Sequence, residues 1–325
     1  MVVLPIRRLS EKFGYFLITL FLIVTLNFFL FRILPGDPVR MLFRDPRMTP
    51  QDLASLRSMF GLDQPIQVQY YLYLVNLFHG NLGISFEYDQ PVLGIVVGRL
   101  VNTVLLVGVA YILFVLLGIL LGVVAAWRHG SRLDAFCVSF ALTTYSVPTF
   151  WLSMLFILVF SVWLGVFPTS GMFTMGAGPE DFVSYLLDLM SHLAMPVITL
   201  VLYYMGFYTI LARSSLLETF TEDYVLTARA KGMSNWQIIR KHALRNAMLP
   251  SLTMAAINIG AVVGGVLQTE TVFSWPGIGS LTYDALMLRD YPLLQGAFLI
   301  TAVAVLTANF VVDILYTWLD PRVRY

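Results

Sequence analysis

Six long, nearly uncharged runs constrain this sequence more than any other feature. They occupy residues 15–34, 103–126, 135–167, 193–212, 246–269 and 291–318, and only Asp313 interrupts the last one. About 20 apolar residues in a helix cross the hydrocarbon core of a bilayer. Within lipid, backbone polar groups must be satisfied by a helix or a closed barrel. The sequence therefore predicts an all-α integral membrane protein with six transmembrane helices.

Composition agrees with this prediction and excludes other classes. Hydrophobic residues make up 58% of the 325 residues and charged residues only 12%, which no ordinary soluble domain matches. The formal net charge of +1 favours no nucleic-acid partner. One cysteine, Cys137, permits no internal disulfide. Four widely separated histidines share no ligand spacing, so we expect no metal site.

Two features inside the runs concern helix packing. The run 135–167 is longer than one crossing needs, and we expect Pro148 to kink a tilted helix there instead of splitting it. Gly118 with Gly122, and Gly260 with Gly264, have the GxxxG spacing that lets helices approach closely. Both pairs predict packing, either between spans of this chain or with a partner chain in a dimer.

The distribution of basic residues predicts the orientation. Lys and Arg lie before the first run, at 128–132, within 213–245 and at 322–324, whereas segment 168–191 carries Glu180, Asp181 and Asp188 without any Lys or Arg. Cytoplasmic loops are enriched in Lys and Arg. Both termini are therefore predicted to lie in the cytoplasm.

The chain divides by composition into three parts. Residues 1–34 form the N-terminus and first span, 35–99 an extracytoplasmic helical module, and 100–325 a five-helix core. In the module, Thr49-Pro50 and Gly61 bound one predicted helix, and residues 65–79 form a second. The aromatic residues of the second helix suit a small core or an interfacial belt, or else a gate or docking face.

A polar segment at 213–250 separates the fourth and fifth runs. It carries six basic and three acidic residues. Thr219 with Glu222, and Ser234 with Gln237, have capping-box spacing, and Gly232 can adopt the left-handed conformation that ends a helix. The segment therefore predicts two short helices joined at Gly232.

Two interpretations of this segment stay open on spacing alone. It can be an amphipathic loop on the lipid surface. Alternatively, Ala228 and Gly232, four residues apart, form a small-residue notch that a partner protein approaches closely.

Longer motifs resemble one family. The stretches TARAKG and KHALRNAMLP resemble the cytoplasmic coupling loop of permease subunits in ATP-binding-cassette importers of the dipeptide, oligopeptide and nickel branch. Ala228, Gly232 and Leu244 match the general motif, while Thr227, Arg229, His242 and Arg245 depart from it. The phrases LPGDPV, FGLDQP, HGNLGISF and QTETVFSWPGIGSLTYDALMLRDYPLLQG extend the resemblance over nearly the full length.

The resemblance implies a set of partners. A second homologous permease would complete the pathway, two ATP-binding subunits or one fused equivalent would hold ATP and Mg, and an extracytoplasmic binding protein would deliver cargo across the lipid bilayer. It also implies the residues that couple to the ATPase: Glu222, Asp223, Tyr224, Ala228, Arg229, Lys231 and Gly232.

The residues themselves argue against an enzyme. A Walker P-loop needs Lys directly after Gly, but Lys12, Lys231 and Lys241 follow Glu11, Ala230 and Arg240. We therefore expect a non-catalytic transport subunit without a cofactor of its own, whose ATP is hydrolysed elsewhere.

The rival classes are an autonomous secondary transporter or channel, which usually has ionisable mid-membrane sites, and an assembly or receptor protein. The sequence does not identify the transported species. The family branch favours peptides, while nickel complexes and other small solutes stay open. We expect selectivity to reside mainly in the binding protein. Candidate pathway residues in the spans are amides: Asn102, Asn258, Gln268 and Asn309.

Overall fold

The structure of the chain is a computed structural model, and it describes residues 6–33, 63–174, 176 and 181–319. The regular secondary structure of this part is helical, and Ile84 and Pro91 form an isolated β-bridge. The helices are α1 (Ile6–Ile33), α2 (Ile66–Phe78), α3 (Val92–Trp127), α4 (Arg132–Ser146), α5 (Thr149–Phe156), α6 (Phe182–Thr219), α7 (Asp223–Ala230), α8 (Asn235–Ile238), α9 (Leu244–Ala247), α10 (Leu249–Gly265), α11 (Leu267–Val272), α12 (Ile278–Leu288) and α13 (Tyr291–Leu319). Two π-helical segments, Ile157–Trp163 and Ile239–Ala243, follow α5 and α8.

Within the described ranges, four helices are long and apolar enough to cross a membrane. They contain the stretches Ser10–Arg32 (α1), Val92–Trp127 (α3), Phe182–Thr219 (α6) and Tyr291–Val312 (α13). A bent pair, Arg132–Ser146 and Thr149–Trp163, raises the number to five if it forms one broken span. The predicted fifth run 246–269 forms α10, of 17 residues, and α11. An all-α membrane protein with four to five candidate spans is thus confirmed, and the count of six stays a prediction.

The expectation that Pro148 only kinks a helix is wrong. The two halves of the run 135–167 are bent by 98°. Val147 has extended backbone angles (φ −82°, ψ 126°), and Pro148 is the N-cap of α5. Proline disfavours helical angles in the residue before it and has no N–H to donate to the preceding turn. The chain therefore breaks at Pro148 and starts a new helix.

The described residues form two compact units. The first contains the residues up to Asn102 together with Gly277–Phe310, and the second contains Thr103–Pro276 with the residues after Phe310. Both α3 and α13 contribute residues to each unit. The predicted helix between Thr49 and Gly61 lies outside the described residues, as do the basic residues at 322–324.

The first unit packs α3, α12 and α13 around a small apolar core that includes Val92, Leu281 and Leu294. The carboxylate of Asp290, before α13, accepts hydrogen bonds from the Ser85 hydroxyl (2.5 Å) and from the amides of Phe86 (2.9 Å) and Glu87 (3.1 Å). Asp290 therefore fastens the loop before α3 to the start of α13.

The predicted helix at residues 65–79 is confirmed as α2. Two of its tyrosines pack on Phe28 of α1, with ring centroids 5.2 Å (Tyr70) and 5.3 Å (Tyr73) away. Tyr71 and Phe78 stay exposed. The aromatic residues of α2 thus form a small core with α1 on one side only.

The second unit is centred on α6, where the predicted glycine packing is confirmed for the first pair. A Cβ atom on Gly118 of α3 would lie 2.6 Å from Tyr208 Cβ and 2.7 Å from the Met205 carbonyl oxygen. One on Gly122 would lie 2.6 Å from the Thr209 carbonyl oxygen. The backbones of α3 and α6 are therefore in direct contact. Packing at Gly260 and Gly264 stays a prediction.

We predict that Gly118→Ala destabilises the protein, whereas Gly108→Ala does not. Both glycines lie in α3, so the gain in helix propensity is the same, but a Cβ on Gly108 would meet nothing within 4 Å. Forced overpacking costs about 1–3 kcal/mol. Thermal unfolding of the purified variants measures the difference, and equal midpoints for the two variants would contradict this account of the α3–α6 contact.

Candidate coupling segment

The polar segment 213–250 begins inside α6, which continues to Thr219. The predicted capping box of Thr219 and Glu222 is wrong, because Thr219 is the last residue of α6 and its hydroxyl donates to the Ser215 carbonyl oxygen (2.8 Å). Helix α7 starts later, at Asp223, with Glu222 in the N-cap position but without a side-chain cap. The long apolar face of α6 extends the helix through the threonine.

The junction at Gly232 is confirmed in detail. Gly232 has φ +80°, its amide donates to the Arg229 carbonyl oxygen (3.0 Å), and the Met233 amide donates to the Ala228 carbonyl oxygen (3.3 Å). These two bonds form a Schellman motif, which ends helices at a left-handed residue. The first helix of the segment therefore ends where the glycine predicts.

The second capping box is confirmed too. The Ser234 amide donates to Gln237 Oε1 (3.0 Å), and the Gln237 amide donates to Ser234 Oγ (3.4 Å). The chain then passes through α8, the π-helical segment Ile239–Ala243 and α9. The second predicted helix is thus present, with a π-helical turn in its middle.

A small apolar core holds the two helices together. Val225, Ala228 and Ile238 are buried against one another, and Phe220 and Met233 pack around them. Ala228 is only 5% exposed. The expectation that Ala228 forms a notch open to a partner is therefore corrected: its small side chain lets Ile238 approach within the same chain.

The opposite face of α7 is exposed. Asp223, Leu226, Thr227 and Ala230 recur at helical spacing along it, and all four are exposed. The other predicted coupling residues are exposed as well: Glu222, Tyr224, Arg229, Lys231 and Gly232. Leu226, 48% exposed, was missed by sequence reasoning. Because the neighbouring Val225 is also apolar, the sequence does not show which of these two side chains points into the core.

The segment is anchored to the membrane helices by a second apolar core. Ala126 of α3 and Leu216 of α6 are buried together with Ile239, Ala243 and Ala247. Beside them, the rings of Trp127 and Trp236 lie 5.3 Å apart. Because interiors are close-packed, a movement of the segment is transmitted to both α3 and α6.

A polar cleft of about 470 Å³ lies between the end of α6, the start of α7 and the start of α10. Ser215, Glu218 and Glu222 line it, and so do Tyr224 and Asn246, whose amide nitrogen donates to the Tyr224 hydroxyl (3.0 Å). No Lys or Arg lines the cleft among the residues described. The cleft therefore presents negative charge.

Arg213, the first basic residue of the segment, is paired within the chain. Its Nε donates to Asp134 Oδ1 (2.6 Å) and its Nη2 to Asp134 Oδ2 (2.8 Å), a bidentate pair that joins α6 to the first turn of α4. The Gly130 amide donates to the same carboxylate (3.0 Å). This pair holds together the ends of α4 and α6.

The four candidate pathway amides are divided between the two compact units. Asn102 and Asn309 belong to the first unit, and Asn258 and Gln268 to the second. Gln268 is exposed on α11 and accepts a hydrogen bond from the Thr149 hydroxyl (2.8 Å). Thr149 directly follows the break at Pro148. Gln268 thus links two broken helices.

Comparison with known proteins gives consistent matches along the chain. Residues 118–325 match the family described as "Binding-protein-dependent transport system inner membrane component", and residues 1–107 match the N-terminal family of the same systems. The chain is 37% identical to the di/tripeptide transport system permease protein DppB of Pseudomonas aeruginosa, covering 98% of both chains.

The chain is similar to other relatives and to a solved structure as well. The chain is 37% identical to the dipeptide transport system permease protein DppB of Escherichia coli K12, covering 98% of this chain and 99% of that one. It is 38% identical over the full length to a putative peptide transport system permease protein of Brucella abortus. A solved structure of the MetNI methionine ABC transporter in an inward-facing conformation has a similar fold, with TM-score 0.56 and 17% identity, covering 70% of this chain and 96% of that one.

We predict that Gly232→Val loosens the segment while Gly232→Asn largely preserves it. A Cβ on Gly232 would meet nothing within 4 Å, so the cost comes from the left-handed backbone alone. That cost is about 1–2 kcal/mol for most residues, and Asn tolerates the conformation best. Limited proteolysis within 228–240 measures the loosening, and equal protection of the Val and Asn variants would contradict the prediction.

Proposed function

The chain belongs to the family of inner membrane components of binding-protein-dependent transport systems, and we propose from that premise how it is oriented, what it couples to and what it carries. It is a permease subunit of an ATP-binding-cassette importer. In the proposal, it pairs with a second homologous permease, and each contributes half of the translocation pathway.

Segment 213–250 is proposed as the contact with the ATPase. The observation that supports this most is the exposed face of α7, backed by two apolar cores that tie the segment to α3 and α6. A rigid, anchored helix can transmit a displacement, whereas a loose surface loop cannot. Two ATP-binding subunits, or one fused equivalent, hold ATP and Mg and carry out hydrolysis, and this chain supplies no catalytic residue.

The predicted coupling residues take different parts in this proposal. Glu222, Asp223, Tyr224, Arg229 and Lys231 offer exposed polar groups to the ATPase, and Leu226 adds an apolar contact. Ala228 and Gly232 act indirectly: Ala228 lets the two helices of the segment pack, and Gly232 turns the chain between them. The cleft with Glu218 and Glu222 suits a basic side chain of the partner.

The orientation and the number of spans are also proposals. Six crossings follow if α4 with α5 forms one broken span and α10 with α11 another. Helix α10, at about 1.5 Å per residue, is about 25 Å long with its 17 residues, close to the thickness of a bilayer core. Both termini and segment 213–250 then lie in the cytoplasm, with residues 35–99 outside, in a prokaryotic plasma membrane.

We propose a di- or oligopeptide as the cargo, delivered by an extracytoplasmic binding protein. The names of the relatives from Pseudomonas aeruginosa and Escherichia coli support this class. The candidate pathway amides Asn102, Asn258, Gln268 and Asn309 carry no charge, so they would offer hydrogen bonds to a peptide without holding it tightly. Selectivity then rests mainly with the binding protein.

Coupling is tested by two substitutions in α7. Leu226→Asp should reduce ATPase retention and peptide-stimulated ATP hydrolysis at unchanged thermal stability, because the side chain is 48% exposed. Ala228→Leu should lower the stability of the chain itself, because the side chain is buried. The assay uses the complex in proteoliposomes with its binding protein and a dipeptide. Normal stimulated hydrolysis by Leu226→Asp would show that the exposed face of α7 is not the contact.

Orientation is tested by thiol labelling in a Cys137→Ser background. The cysteines introduced by Glu87→Cys and Ser184→Cys should react with an impermeant reagent added outside. The cysteine introduced by Ala230→Cys should react only after the membrane is opened. All three positions are exposed. Ser85 is unsuitable because it is buried and bound to Asp290. Labelling of position 230 from outside would reverse the proposed topology.

A further inference from the structure

Two tryptophans and a group of basic residues form a patch where α3 meets the coupling segment. We propose that this patch binds the phosphate headgroup of an anionic phospholipid in the cytoplasmic leaflet. The patch consists of Trp127, Arg128, Trp236, Arg240 and Lys241, which we call the headgroup patch.

The aromatic part of the headgroup patch is half-exposed. Trp127 is 39% and Trp236 49% exposed, although their rings lie only 5.3 Å apart. The Arg128 guanidinium lies 5.0 Å from the centre of the Trp127 ring. Within the described residues, neither indole N–H donates a hydrogen bond to the protein. Two indole donors are therefore available to an external acceptor.

The spacing of the other basic residues places them on the same side as Trp236. Arg240 and Lys241 follow Trp236 by four and five residues, and the intervening π-helical segment brings residues at such spacing onto one face. Ala126, next to Trp127, is buried against Ile239 and Ala243 of that segment. The end of α3 and the π-helical segment thus present their exposed cations together.

The charge of this group is not compensated within the described residues. Arg128, Arg240 and Lys241 are exposed, and none of them forms an ion pair there. The nearby carboxylate of Asp134 is already neutralised by Arg213. Glu218 and Glu222 line the cleft beside Asn246 instead. The headgroup patch therefore attracts an anion.

The position of the patch favours a lipid over a soluble anion or a protein. Trp127 is the last residue of α3, a helix long and apolar enough to span the membrane. Tryptophan at the end of a span prefers the headgroup layer, and basic residues beside it attract anionic lipids. A lipid phosphate lies at that depth, where indole N–H groups and guanidinium groups can both reach it.

The inference rests on the proposed function in one respect, because the leaflet follows from the proposed orientation. The test is lipid binding and requires neither transport nor ATP hydrolysis. If thiol labelling or coupling fails while lipid binding behaves as expected, the proposed function fails and lipid binding by the headgroup patch stands. A reversed orientation would change only the leaflet.

The experiment measures lipid binding to the full chain, purified in mild detergent with the subunits that accompany it, by native mass spectrometry. The probes are phosphatidylglycerol and phosphatidylcholine with identical acyl chains. A basic residue near an anionic surface contributes roughly a fivefold factor in affinity. Arg128→Gln with Arg240→Gln should therefore weaken phosphatidylglycerol binding roughly 25-fold and leave phosphatidylcholine binding unchanged.

Matched variants separate local binding from general charge. Arg99→Gln with Arg289→Gln removes the same formal charge from the first unit and should leave phosphatidylglycerol affinity unchanged. Arg128→Lys with Arg240→Lys keeps the charge and should retain most of the binding. Monodisperse elution of the Gln pair, together with binding by the Lys pair, excludes misfolding as the cause of a loss.

Several results would overturn the inference. The variant with Arg128→Gln and Arg240→Gln decides the main point. If its affinity for phosphatidylglycerol stayed within twofold of that of the unaltered chain, the patch would not be the lipid site. If soluble glycerol phosphate displaced phosphatidylglycerol as well as added phosphatidylglycerol does, the site would be one for free anions. Loss of the accompanying ATP-binding subunit at unchanged lipid binding would assign these residues to a protein interface.

Discussion

Direct backbone contact along α6 is the interaction on which the second unit depends. In lipid, helices gain little from burying apolar surface against one another, so association relies on close packing. Gly118 and Gly122 allow α3 to approach α6, and Gly206 of α6 allows contact with the Ala141 carbonyl oxygen of α4. Where the three helices end, the Arg213–Asp134 pair closes the arrangement. The coupling segment is built on this frame.

The coupling segment combines rigidity with separated charge. Its two helices share a core around Ala228, and a second core ties them to α3 and α6. Carboxylates gather at its start, around the cleft with Glu218 and Glu222, while exposed cations gather near Trp236. The first charge suits a basic protein partner and the second suits an anionic surface. The proposed contact with the ATPase and the proposed contact with the membrane thus use different places on this segment.

Local backbone chemistry in this segment was predictable, because it depends on residues adjacent in sequence. Gly232 is left-handed and ends α7 in a Schellman motif, and Ser234 with Gln237 caps the next helix. The Thr219–Glu222 box failed for a long-range reason. The same hydroxyl that caps a helix can also bond its own preceding turn, and packing of Leu216 and Ser215 in α6 favours the second.

The sequence by itself determined the class of the protein, the long helices and the closely packed face of α3, because apolar length and GxxxG spacing are set by residues within a few turns of one another. Only the tertiary structure decided which way a side chain faces. Ala228 turned inward to Ile238, while Leu226 stayed outside. It also decided the partner of Arg213. These outcomes depend on residues distant in sequence, and no local pattern specifies which neighbour a helix will meet.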